Sequence, residues 1–145
     1  NPAISIVHVE GDLFFGAAEL FRTQVQRTAS DENLKVIILR LKNARHLDAT
    51  SVMALKELII FMREQGRHVL ISGASREVYK VLKLSGVLQT IQEGCERKLG
   101  ETNLFPYAPS NPNISARDAL LRAQELLGTK KADIKIFYDP SHEKK

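Results

Sequence analysis

Apolar residues fall along this chain in two rhythms, short unbroken runs and longer stretches at helical spacing. Residues 4–9, Ile-Ser-Ile-Val-His-Val, read as a first strand. Lys35-Val36-Ile37-Ile38-Leu39-Arg40-Leu41 is β-branched and almost continuously apolar, which suits a strand covered on both faces. Val52, Leu55, Leu58, Ile59 and Met62 then recur at helical spacing, and Gly66 supplies a stop. Residues 68–72 form the next strand. Ser75 opens a helix that turns Val78, Val81 and Leu82 inward, with Ser85-Gly86 ending it. Ahead of the buried strand, Ala17, Leu20, Phe21 and Val25 give an earlier helix its apolar face.

Punctuation fills in the rest. Glu10-Gly11-Asp12 has turn chemistry, so residues 4–9 and the short run 13–15 are expected to pair antiparallel. Residues 87–91 read as a short last strand, and the three prolines within 105–113 as a loop. Asn113 or Ser115 is expected to cap a final helix striped by Ala116, Ala119, Leu120, Ala123, Leu126 and Leu127, which Gly128 closes. Ile134-Lys135-Ile136-Phe137-Tyr138 suits an edge strand, with 141–145 disordered. The alternation predicts an α/β fold with a mostly parallel sheet, an antiparallel N-terminal strand pair and about four helices. Residues 1–128 form the domain; residues 129–145 are a basic C-terminal tail.

Composition narrows the class. At 145 residues the chain is one domain by length. Its longest unbroken apolar run of interest, 58–62, is far below the roughly 18 residues of a membrane span. No signal peptide pattern is present, and a chain opening on Asn1-Pro2 is expected to be an excised piece of a longer one. The net charge of +4 is spread thinly: residues 1–100 carry 14 Lys and Arg against 11 Asp and Glu, and 101–145 carry 7 against 6. A nucleic-acid surface concentrates its charge on one face, so nucleic acid is not an expected partner. Cys95 is the only cysteine, which rules out an intramolecular disulfide and suits a reducing compartment.

Candidate chemistry gathers at one junction, Arg45-His46-Leu47-Asp48-Ala49-Thr50-Ser51, between the buried strand and the helix after it. In an open α/β sheet, sites lie at the carboxyl ends of strands. Asp48, Thr50 and Ser51 are helix-capping residue types, and capping accounts for them as well as any function does. His46 is the one histidine near the junction; a base role would use Thr50 or Ser51 as nucleophile, but no third orienting group follows. His8 and His68 belong on strands as half-buried structural residues. No phosphate-binding glycine loop and no metal-ligand spacing occurs, so no catalytic residue, metal or cofactor is expected.

Leu47-Asp48-Ala49-Thr50-Ser51, after an apolar strand and opening an amphipathic helix, resembles the central motif of STAS domains. That family comprises anti-sigma-factor antagonists and the cytoplasmic C-terminal domains of SulP-type anion transporters. The segment Gly11-Asp12-Leu13-Phe14-Phe15 resembles the Gly-x-Leu-Phe-Phe stretch of the transporter branch. The resemblance covers about residues 3 to 128. In the antagonists the residue after the motif aspartate is a phosphorylatable serine; here it is Ala49, which has no hydroxyl, and a glycine often found two residues later is replaced by Ser51.

The resemblance implies a non-enzymatic regulatory and interaction domain of a bacterial SulP-family transporter of sulfate or a related anion, on the cytoplasmic side of the inner membrane. Its implied partner is the transmembrane domain of the same polypeptide, with a homodimer or a cytosolic protein as further candidates. Asp48, Thr50, Ser51 and His46 are the candidate binding residues. Ile60 and Phe61 lie off the main stripe of their helix, where they either widen its buried face or form a contact patch. Two alternatives remain, a free-standing anti-sigma-factor antagonist and a nucleotide-binding α/β domain.

Overall fold

The computed structural model of the protein describes residues 3–13, 33–47, 49–111, 113–128 and 134–138, with 8–13, 42–47, 97 and 134–138 described by backbone alone. Five strands alternate with helices: β1 (Ile4–Leu13), β2 (Val36–Leu47), α1 (Ala49–Glu64), β3 (His68–Ala74), α2 (Arg76–Ser85), α3 (Val87–Ile91), β4 (Leu104–Pro106), α4 (Ile114–Leu127) and β5 (Ile134–Tyr138). A single 3-10 turn, Arg97–Leu99, precedes β4. The strands lie in the order β4-β3-β2-β1-β5.

The central strand β2 explains the layering. Val36, Ile37, Ile38, Leu39 and Leu41 are all buried, and side chains alternate between faces. Ile37, Leu39 and Leu41 join Leu55, Ile59 and Met62 of α1, Val78 and Leu82 of α2, and Val87 and Ile91 of α3. Val36 and Ile38 join Leu70 of β3 and Ala119 and Ala123 of α4 on the other side. A strand sandwiched in this way needs apolar residues at successive positions. The helix ends follow the expected chemistry. Ser75 Oγ accepts a 3.2 Å hydrogen bond from the Val78 amide at the start of α2. Gly66, at φ 71°, turns the chain after α1, where the Arg67 amide donates to the Met62 carbonyl at 2.8 Å.

Three expectations fail. Gly11 and Asp12 do not form a turn; they lie within β1, opposite Ala44 and His46 of β2. Every strand pairing among the described residues is parallel, so the antiparallel N-terminal pair gives way to one long strand. Register shifts between His8 and Glu10 and between Gly11 and Asp12 let turn-forming residues stay in the ladder. Residues 87–91 are a helix, not a strand. Val87 and Ile91 are buried at a spacing of four, and Thr90 Oγ1 donates to the Gly86 carbonyl at 3.0 Å. The supposed loop at 105–113 begins with β4, in which Pro106, lacking an N–H, sits at the end of a short edge strand. At α4 the N-cap is Asn113, without a side-chain capping bond, and Ser115 is buried. The helix expected over 17–27, the residues Phe14 and Phe15, and the terminus 141–145 lie outside the described residues.

Removing a methyl-rich side chain from the doubly covered strand should be costly. Leu39→Ala is expected to lower unfolding free energy by about 3 kcal/mol, against less than about 0.5 kcal/mol for Leu84→Ala on the exposed side of α2, as measured by urea denaturation.

Candidate functional site

The parallel register gathers the residues singled out in the sequence. Among the described residues, β1 pairs with β5 as far as His8 and β2 with β3 as far as Arg40. From Glu10 and Asn43 onward, the described pairing is that of β1 with β2. Gly11 stands opposite Ala44, Asp12 opposite His46, and Leu13 opposite Leu47. The two segments carrying the family resemblance, more than thirty residues apart in the chain, therefore end side by side at the carboxyl edge of the sheet. The helix α1 starts at Ala49, immediately past that ribbon.

At the helix entrance the polar residues part company. Ala49 and Thr50 are exposed, whereas Ser51 is fully buried on the inner face of α1 with Ala54 and Leu55. Thr50 is therefore reachable from solvent, and Ser51 belongs to the packing. Asp48, Phe14 and Phe15 lie outside the described residues. His46, Gly11 and Leu13 are fixed in the strand ladder by their backbones.

On the outer side of α1, Ile60 and Phe61 are exposed, so they do not widen its buried face. Met53, two helical turns before Ile60 and also exposed, extends the same apolar strip; its place off the inward stripe was the available signal for it. The Arg67 guanidinium lies 5.9 Å from the centre of the Phe61 ring, within cation–π range.

A second feature lies at the opposite, amino-terminal edge of the sheet. There Arg63 in the last turn of α1, Arg67 just after it, His68 opening β3, Glu93, Asn103 and Arg122 of α4 line a cleft of about 180 Å³. Burial first, then the positive charges of Arg122 and Arg63, hold the His68 imidazole below its ordinary pKa of 6.5. Sequence reasoning placed His68 as a half-buried strand residue but missed the arginines around it. They come from separate elements with no shared motif. Among the described residues no three His, Cys, Asp or Glu side chains come together as metal ligands.

Fold and site together define a small α/β domain, its strands all parallel among the described residues, with a partly exposed helix entrance beside its two central strands. The chain belongs to the STAS domain family, whose family model matches residues 1–102. Solved structures agree. The chain is similar to a sulfate transporter family protein from Wolinella succinogenes, at 25% identity and a TM-score of 0.66, over 88% of this chain and 89% of that one. It is similar to the SulP transporter STAS domain from Vibrio cholerae at 29% identity and a TM-score of 0.56, over 84% of this chain and 86% of that one. The murine Solute Carrier 26 family member A9 anion transporter, in its inward-facing state, shares the fold at 23% identity and a TM-score of 0.64. That match takes in 86% of this chain but 18% of the transporter. The comparison with curated proteins returns no match.

The lowered His68 pKa has a consequence for stability. Below about pH 6.5 the unfolded chain binds a proton that the folded chain resists, so stability falls as pH drops from there toward the lowered folded value. His68→Gln should make the loss of stability between pH 7 and pH 5 smaller than in the parent chain, as read by urea denaturation across that range. An unchanged pH profile would contradict the assignment.

Proposed function

We propose that this chain is the non-enzymatic regulatory domain of a SulP-type anion transporter, held on the cytoplasmic side of the membrane. The observation that carries this reading is the likeness, over 84% of the chain, to a domain described as the STAS domain of a SulP transporter. The murine anion transporter supports it, because most of that protein lies outside the matched part. The partner is accordingly the membrane-embedded part of the same polypeptide. Among the described residues no helix is long and apolar enough to cross a membrane, so spanning segments would be supplied from elsewhere in that polypeptide.

Docking uses the strip of Met53, Ile60 and Phe61 on α1, together with the helix entrance at Ala49 and Thr50. Exposed apolar area of this kind gains roughly 25 cal/mol for each Å² removed from water on contact. Ala49 matters by what it lacks. With no hydroxyl beside Asp48, phosphorylation at that position cannot switch the contact, so the regulation works through occupancy of the surface.

The test uses the full transporter polypeptide in proteoliposomes. The double variant Ile60→Ser, Phe61→Ser is expected to leave the stability of the 145-residue chain within about 0.5 kcal/mol per site, since both side chains are exposed. It should change the rate of anion uptake by about fivefold or more, the scale of a typical coupling between sites. Uptake indistinguishable from the parent, with the domain still folded, would refute this docking face.

A further inference from the structure

From the cleft at the amino-terminal edge of the sheet we infer a binding site for a small tetrahedral oxyanion, of the phosphate or sulfate class, held by Arg63, Arg122 and the wall formed by Arg67 and His68. The inference does not depend on the transporter reading, because it rests on the residues lining the cleft, none of which belongs to the docking strip.

The size of the cleft selects the ligand class. At about 180 Å³ it is smaller than the roughly 300 Å³ at which pockets for drug-sized molecules begin, and it suits a small ion with its waters. Arg122 and Arg67 are fixed from behind, while Arg63 is 36% exposed and reaches in from the end of α1. Arg122 Nε donates to Asn103 Oδ1 at 3.1 Å, and Asn103 is itself pinned by its Nδ2 donating to the Ile91 carbonyl at 2.9 Å and its amide donating to Gln92 Oε1 at 2.7 Å. Arg67 Nη1 donates to the Leu34 carbonyl at 3.0 Å and Nη2 to Gln65 Oε1 at 2.6 Å.

The carboxylates facing these cations are held differently. Arg63 pairs with Glu93 at 2.8 Å and Arg122 with Glu125 at 2.9 Å, with Glu101 4.0 Å from Arg122. The Arg122 side chain is only 10% exposed and Arg67 is 5% exposed, whereas the side chains of Glu93 and Glu125 are 63% and 69% exposed. Exposed carboxylates on flexible stems contribute little to such pairs and swing away at small cost. The buried guanidiniums stay where they are. An incoming oxyanion therefore takes the place of Glu93 on Arg63 and meets Arg122 already in place, and guanidinium geometry suits two-point contact with a tetrahedral oxyanion. The lowered pKa of His68 comes first from its burial and then from the positive charges of Arg122 and Arg63 beside it.

The test is a titration of the full 145-residue chain with inorganic phosphate and with sulfate at constant ionic strength, following the His68 ring by NMR. The site predicts a saturable shift at millimolar phosphate and a raised His68 pKa, with no such change in chloride. Arg122→Gln should weaken binding roughly tenfold, the worth of a charge-assisted hydrogen bond. Glu93→Gln, at an exposed position that leaves the fold intact, should tighten it about fivefold by removing a competing like charge. A parallel titration with glycerol 3-phosphate separates the sources: a stronger response assigns the oxyanion to an esterified phosphoryl group, a weaker one to the free ion, and both sustain the site. An identical response to chloride, the lack of saturation, or an unchanged affinity in Glu93→Gln would overturn it.

Discussion

The structure depends on the burial of one strand from both sides. β2 carries apolar residues at successive positions, so each face demands its own cover. Helices α1, α2 and α3 supply it on one side and α4 on the other. β3 runs parallel to β2 because it is reached through α1, packed on one face, rather than by a hairpin. Once β2 is fixed, the helix after it must start at the carboxyl edge of the sheet and run back along it. That single constraint puts Thr50 at one end of the molecule and Arg63 at the other.

The two ends differ in what they offer. The carboxyl edge presents a strand ribbon and an open helix entrance, and the outer face of α1 leads away from it with Met53 near its start and Ile60 and Phe61 near its end. Surfaces of that makeup recognise other macromolecular surfaces by excluding water. The amino-terminal edge presents guanidiniums held from behind by neutral side-chain and backbone acceptors. It recognises charge in a confined space. A helix of 16 residues joins the two, so occupancy at one end and docking at the other bear on the same rigid element.

Much of this was legible in the sequence. Period and residue type located β2, α1, β3, α2 and α4, and Leu13 and Leu47, one from each motif segment, stand opposite each other in the ladder. The failures share a cause. Gly11 and Asp12 favour a turn in isolation, but a long parallel neighbour offers them a ladder, and local preference yields to it. Val87, Thr90 and Ile91 fit a strand by β-branching, while Val87 and Ile91 fit a helix by spacing; burial against the α1 side of the sheet decides for the helix. β4 is too short to show a period at all. The arginine cleft has no signature in the chain because its members meet only after three elements have packed, whereas Ile60 and Phe61 were visible as departures from an otherwise regular stripe.

On the docking proposed above, the outer face of α1 is covered when the domain is part of a complete transporter. The direct measurement is the labelling rate of Ile60→Cys by a membrane-impermeant maleimide, in the isolated chain and in the complete transporter, with the buried-face position Leu58→Cys as reference. Docking through this face gives rapid labelling at position 60 in the isolated chain and strong protection in the complete protein. Equal rates at position 60 in both would contradict it.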